Sequence, residues 1–354
     1  MAVSVKVSVI IPVYKIAGDY IRKCVETLEQ QTVSEIEIIL VDDGTPDDGG
    51  AVCDSLAEQF ENCSVIHQKN QGVSAARNAG MQKASGTWLM FADPDDYSEP
   101  DLIEKLLNLC DEETDIACCC CKVLTEQGMK TDLFFEKDRI FSTEAEKKDL
   151  YFQLMDSVYG QPNFPYTAIG VPWGKLYRKD FLMQKHIFFD PALRRMQDNM
   201  LNMYAFAAAR KITYGNFPLY IYRYEHIQGY QIKYNPNHLP VNLCIIQKRA
   251  ECIKKLGLQQ DASVYDAFLY EAFTKLKVAL RYGPLHQAYP DSRAKQKQEA
   301  EQLLQRPEIQ QIMQDLKQRN VLSKTSDKLI FHFMQMHFWG ALQLLWKFRK
   351  NTGG

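Results

Sequence analysis

The sequence predicts an α/β fold with a mostly parallel central sheet, followed by a helical C-terminal section. Short β-type runs recur at Val5 to Val13, Ile36 to Val41, Ser64 to His67, Thr87 to Ala92 and Ile116 to Val123, and helical patterns separate most of them. Parallel neighbours need crossover connections, so this alternation argues for a sheet covered by helices, with its ligand crevice at the carboxyl ends of the strands. After about residue 236 the alternation stops, and Val241 to Leu256, Ser263 to Tyr282 and Ser292 to Leu304 read as helices. The expected division is therefore residues 1–235 for the α/β domain and 236–354 for a helical region ending in an amphipathic helix at about 329–350.

The first strand alternates and contains Lys6, without the basic start, long apolar core and small-residue cleavage site of a signal peptide. Ile21, Cys24, Val25 and Leu28 share one face of the next helix, and Val52, Leu56 and Phe60 share a face of the one after. Between them the second strand ends in Asp42-Asp43-Gly44. Asn70 to Gly80 reads as a glycine-containing turn entering a helix with a small-residue face, whose amides and Arg77 suit a phosphate or a nucleobase. A close-packed helix with a surface arginine fits the same residues.

Thr87 to Ala92 then breaks into Asp93-Pro94-Asp95-Asp96. Three acids behind a buried strand repel one another and resist desolvation, and a divalent cation with phosphate oxygens would offset both costs. A solvated turn is the alternative, because Asp and Pro suit turns and Ser98 with Asp101 resembles a capping box. Cys118 to Cys121 lack CxxC spacing and read as a buried strand of small apolar thiols, and many unpaired thiols suit a reducing cytosol. Residues 125 to 170 mix aromatic, Pro and Gly residues with charge, and read as a loop-rich, substrate-shaping region.

The net charge of -2 supplies no global field for a polyanion, so no nucleic-acid partner is expected. No segment reaches the roughly 20 consecutive apolar residues of a membrane span, and the expected location is cytoplasmic. Leu329 to Lys350 is rich in Phe, Met, Leu and Trp. With Trp339 and Trp346 as interfacial anchors and Lys347, Arg349 and Lys350 at its end, such a helix would lie on the inner face of an anionic membrane near a lipid-linked acceptor. Packing on the domain or on a second subunit accounts for the same pattern.

Taken in order, Val9-Ile10-Ile11-Pro12-Val13-Tyr14, Val41-Asp42-Asp43-Gly44, the Arg77 helix and Asp93 to Asp96 resemble the family 2 glycosyltransferases, in particular bacterial enzymes that build capsule, lipopolysaccharide or exopolysaccharide. The resemblance covers residues 3 to about 225. It implies a GT-A-type, Rossmann-like nucleotide-binding domain, a UDP-type sugar donor, a sugar or lipid-linked glycan acceptor, a divalent metal, Mn²⁺ or Mg²⁺, and inversion at the anomeric carbon. On this chain Pro12 and Tyr14 would border base and ribose, Asp42 would accept from the uracil edge, and Arg77 would support the nucleotide. Asp93 would lie near ribose or metal, and Asp95 would be the principal metal ligand.

The same family usually carries Glu-Asp at a downstream helix start. Here the residues are Gln197-Asp198, which makes Asp198 the candidate base and leaves the neighbouring negative charge missing. Val171 to Tyr177 matches a further family segment, in which Trp173 would stack on the acceptor sugar or serve the core. Leu219 to His226 resembles the strand and loop that close the donor site, with His226 approaching metal or diphosphate.

A dinucleotide-dependent dehydrogenase shares the βαβ order, yet the first strand runs into Pro12-Val13-Tyr14-Lys15 with no glycine-rich phosphate loop. Sugar nucleotidyltransferases would likewise show an early Gly- and Arg-rich loop. Gln197 motivates a different class of reading, a non-catalytic partner that keeps the fold.

Overall fold

The computed structural model of the protein describes residues 6–160, 166–225 and 234–349, and His226 and Lys350 lie outside the described residues. The chain divides into two compact units, Met1–Gln228 and Gly229–Gly354. The first unit runs β1 (Val7–Val13), α1 (Gly18–Glu29), β2 (Ile36–Asp42), α2 (Gly49–Gln59), β3 (Cys63–His67), α3 (Val73–Lys83), β4 (Trp88–Phe91), β5 (Tyr97–Ser98), α4 (Leu102–Asn108), β6 (Thr114–Thr125), β7 (Gly128–Asp132), β8 (Arg139–Phe141), α5 (Glu144–Met155), β9 (Lys175–Arg178), α6 (Lys179–Gln184), α7 (Gln197–Ala208) and β10 (Lys211–Arg223). The sheet order is β3-β2-β1-β4-β9-β6-β10-β5, with β7 on β6 and β8 on β10. β3, β2, β1 and β4 are mutually parallel, as are β6 and β10, while β9 enters antiparallel between β4 and β6.

Because β2 lies on one side of β1 and β4 on the other, the topological switch falls between β1 and β4. A detail of the ladder opens the sheet there. The carbonyls of Lys6 and Ile10 accept from Trp88 N at 3.0 Å and Ala92 N at 3.1 Å, so the even-numbered residues of β1 direct their backbone groups at β4. Pro12 is next in that series and has no N–H to offer. β4 stops at Phe91, and Asp93-Pro94-Asp95-Asp96 closes a turn through Asp96 N to Asp93 O at 3.1 Å.

β1 is buried along its whole length, and α1 buries the apolar face that periodicity predicts, packing against α2 and β5. α3 packs so closely on β1 that a Cβ on Gly80 would stand 2.4 Å from Ile10 Cγ2. Cys118 to Cys121 are buried in β6, which has β9 and β10 as sheet neighbours, and all ten cysteines are free thiols. Burial holds the thiols of Cys118 to Cys121 above the ordinary cysteine value.

Residues 125 to 170 are more regular than a loop-rich reading implies, since they contain β7, β8 and the twelve-residue α5. Thr143 and Glu146 form a capping box at its start. Lys147 and Gln153 are buried among Leu150, Leu154 and Met155, and these polar positions erase the apolar stripe. The other capping box does not form: Asp101 precedes α4 without a side-chain cap, and Ser98 Oγ instead accepts from Gln31 Nε2 at 3.2 Å.

The second unit comprises α8 (His238–Lys255), α9 (Ala262–Tyr282), α10 (Arg293–Leu304), α11 (Pro307–Arg319), α12 (Thr325–Gln335) and α13 (Trp339–Arg349). A buried pair, Arg249 Nε to Glu271 Oε2 at 3.0 Å, ties α8 to α9. The single helix expected at about 329–350 is two helices. The chain breaks where His337 adopts φ 54° and Phe338 N reaches back to Phe333 O at 2.9 Å, the bonding of a Schellman-type stop. Trp339 and Trp346, read above as interfacial anchors, are only 2% and 6% exposed. The apolar stripe is continuous in sequence because α12 buries Ile330, Phe331 and Met334 while α13 buries Trp339, Leu342 and Trp346.

His67 ends β3 and joins β2 to α2, with Nδ1 2.9 Å from Asp42 Oδ2 and Nε2 2.9 Å from Asp54 Oδ1. A carboxylate oxygen accepts, so both bonds form together only when both ring nitrogens carry protons, and these two bonds raise the imidazole above its ordinary value.

Two outcomes are expected. Gly80→Ala should lower stability by about 1–3 kcal/mol through overpacking against Ile10, less whatever the helix gains from alanine, and a midpoint in urea equal to wild type would refute the tight packing. The His67 contribution is complete below the ordinary value of 6.5 and is lost as pH rises through the raised folded value. Unfolding midpoints followed upward from about pH 6 should therefore fall further for wild type than for His67→Gln, and parallel curves would refute the bridge.

Candidate active site

The acidic turn is held from several sides. Asp93 Oδ1 receives Arg77 Nη2 at 2.7 Å, and Asp93 N donates to Tyr220 Oη at 3.1 Å. The Tyr220 hydroxyl donates in turn to Asp96 Oδ2 at 2.9 Å, while Arg223 N donates to Asp96 Oδ1 at 2.8 Å. Asp96 is 1% exposed, and burial followed by the charges of Asp93 and Asp95 holds its carboxyl well above the usual carboxylate range. Asp95 is half-buried on the same turn. The turn is thus built into β10, and Tyr220 is a residue of the site that sequence reading placed only within a closing strand.

Arg77 is brought to Asp93 by the close packing of α3 on β1. Its side chain is 5% exposed, its guanidinium lies 5.2 Å from the Phe189 ring centroid, and Nε and Nη1 are buried without a hydrogen-bond partner among the described residues. A buried guanidinium with unmet donors beside a carboxylate is a receptor for a further oxygen ligand. Asp198 stands in the first turn of α7, and Asn202 of that helix donates to Gly170 O at 2.9 Å and Val171 O at 3.1 Å. Burial raises the Asp198 carboxyl, and the Arg77 charge partly offsets it. The structure therefore places Arg77 in the electrostatic field of both Asp93 and Asp198. Gln197 Oε1 is buried without a hydrogen-bond partner among the described residues.

Of the proposed nucleotide residues, Pro12 and Tyr14 stand at the end of β1, Asp42 ends β2, Arg77 lies within α3 and Asp93 follows β4. Pro12 is buried at the open edge of β1, and Tyr14 is 40% exposed just beyond it. Asp42 accepts from Thr45 N at 2.9 Å as well as from His67, and a side chain on Gly50 would lie 2.9 Å from its Oδ2. Each carboxylate oxygen retains acceptor capacity. Asp43, which sequence reading left without a task, is 2% exposed and accepts from Gln68 Nε2 at 2.7 Å, Gln71 N at 2.8 Å and Gly72 N at 2.8 Å. It shapes the turn into the Arg77 helix, where Gly72 takes φ 90°.

Trp173 does not present a face to a sugar. It is 2% exposed and stacks on Tyr220 at 4.4 Å with 6° between planes, and on Tyr222 at 5.6 Å. The neighbouring Lys175 is also buried, donating to Val171 O at 2.7 Å, and burial lowers it to about 8. This segment is a support for the site, and the tryptophan belongs to the core.

Among the described residues no three His, Cys, Asp or Glu side chains are arranged to hold a metal unaided. A small hard cation bound with phosphates needs less, because it takes one or two carboxylates, keeps waters and completes its shell with phosphate oxygens. Asp93 and Asp95 on one turn fit that donor set.

The family model "Glycosyl transferase family 2" matches residues 8–166. EpsH of Bacillus subtilis, assigned by name to the glycosyltransferases, is 30% identical over 266 residues, 74% of each chain. EpsJ of the same organism, also named a glycosyltransferase, is 32% identical over 232 residues, 65% of this chain and 64% of that one. The crystal structure of S. aureus TarS 1-349 in complex with UDP-GlcNAc aligns over 98% of this chain and 92% of that one, with TM-score 0.61 and 17% identity. The fold is accordingly of the GT-A type, and the chain belongs to glycosyl transferase family 2.

Proposed function

We propose that the protein is an inverting, metal-dependent glycosyltransferase that moves a sugar from a UDP-type donor to a glycan or lipid-linked acceptor in cell-surface polysaccharide synthesis, acting in the cytoplasm or on the inner face of the membrane. The observation that carries this reading is the position of Arg77, ion-paired with Asp93, near Asp198 and still holding unmet donors. The TarS structures solved with UDP and with UDP-GlcNAc support the choice of a uridine donor. For membrane contact, the exposed Met336, Phe338 and Leu344 take the part first given to the tryptophans.

Base and ribose would lie between Tyr14 and Asp42, and Arg77 would face the nucleotide. A divalent cation on Asp95 and Asp93 would neutralise charge building on the departing diphosphate. Asp198 accepts the proton of the acceptor hydroxyl as it attacks the anomeric carbon from the face opposite the nucleotide. Its raised proton affinity makes it a better base at neutral pH than an exposed aspartate.

Gln197 favours a second reading, a non-catalytic partner with the same fold. Calorimetry with UDP and Mn²⁺, followed by a hydrolysis screen over UDP-sugars, separates the two, since binding without turnover of any sugar would support the second. Within the enzyme reading, Asp95→Ala should abolish metal-dependent UDP binding and transfer. Asp198→Asn should leave UDP binding intact and cut transfer by roughly 10²- to 10⁴-fold. Undiminished transfer by either variant would remove the role assigned to that residue.

A further inference from the structure

With Trp173 buried, the acceptor needs another surface, and β10 offers one. Tyr220 and Tyr222 on β10 and Tyr224 just beyond its end, its N bonded to Leu124 O, alternate in position and share one side, whereas Arg223 turns to the opposite side and lies over Tyr20 at 4.9 Å and Tyr97 at 5.1 Å. The three tyrosines form a graded row. Tyr220 is 1% exposed and bonded to the acidic turn, Tyr222 is half-buried and stacked on Trp173, and Tyr224 is 36% exposed.

The outer end of the row is fixed. Tyr224 meets Tyr222 edge-on at 6.1 Å and Tyr166 at 5.3 Å, and its backbone N donates to Leu124 O at 2.8 Å. Tyr166 N donates to the buried Asp132 at 3.0 Å, and Lys130 Nζ donates to its hydroxyl at 2.9 Å. Next to the turn, the Tyr222 phenol is pushed up by burial and by the charges of Asp96, Asp93 and Asp95. The row therefore starts at the acidic turn and leads outward, on the β10 side, away from the base residues on β1 and β2.

We propose that Tyr222 and Tyr224, braced by Tyr166, form the platform on which the apolar ring face of the acceptor saccharide stacks. A pyranose ring carries C–H groups on one face and hydroxyls at its rim, so it suits a surface that is aromatic in the middle and phenolic or ammonium-bearing at the edge. The platform rests on the glycosyltransferase reading and specifies its acceptor side.

The test uses the full chain with UDP and Mn²⁺ present, and measures binding of the methyl glycosides of glucose, galactose and N-acetylglucosamine by ligand-observed NMR. Tyr224→Ala should weaken the best-bound glycoside roughly five- to tenfold, and Tyr224→Phe by less than about twofold. UDP affinity should change by less than about twofold in both, which a merely structural defect would not produce. Equal glycoside affinity in Tyr224→Ala, no glycoside bound by wild type, or a matching loss of UDP affinity would overturn the platform. If wild type fails to bind UDP at all, the functional reading fails and the platform goes with it.

Discussion

Three carboxylates within four residues, at the end of a buried strand, set the terms for the structure around them. Unpaired charges so placed would cost several kcal/mol each, so the fold supplies a partner wherever burial is deepest. Asp93 has the Arg77 guanidinium, and Asp96 has the Tyr220 hydroxyl and the Arg223 amide. These partners come from α3 and β10, elements more than a hundred residues apart in the chain. Satisfying one turn therefore requires the parallel half of the sheet and its last strand to close on the same point.

The topology makes that closure inexpensive. β4 ends beside β1 at the switch point, and Pro12 withdraws the donor that would otherwise extend the ladder. The two strands thus part where hydrogen bonding stops. On the far side of β4, β9 and the segment before it lodge Trp173 against Tyr220 and Tyr222. That stack orients the hydroxyl that binds both Asp96 and Asp93 N, so a core tryptophan governs the acidic turn without touching a ligand.

Much of this was legible in the sequence, for reasons particular residues make plain. β1 and the Cys118 to Cys121 run are buried on both faces, so their apolar character survives any local noise. α1 shows a clean stripe because one face meets the sheet and the other meets water. By contrast α5 was missed because Lys147 and Gln153 are buried, each through hydrogen bonds that a pattern of apolar positions does not register. The hinge at His337 was missed because a left-handed stop at a residue other than glycine leaves no compositional mark. Within the candidate site, the acids and Arg77 stand out by type and spacing. Asp43, Tyr220 and His67 act through partners distant in sequence, and only the fold reveals those.

The same electrostatic accounting bears on Gln197. Arg77 already balances Asp93 directly and moderates Asp198. A glutamate at position 197 would add a carboxylate next to Asp198, where the Gln197 Oε1 atom is buried and has no hydrogen-bond partner among the described residues. It would either raise the proton affinity of Asp198 further or claim part of the charge that fixes Asp93. The neutral amide leaves Arg77 committed to the acidic turn and leaves burial as the main influence on Asp198. A neutral residue at 197 thus removes one influence on Asp198 while leaving its carboxyl in the field of Arg77 and in its place on α7, which is compatible with the role proposed for it.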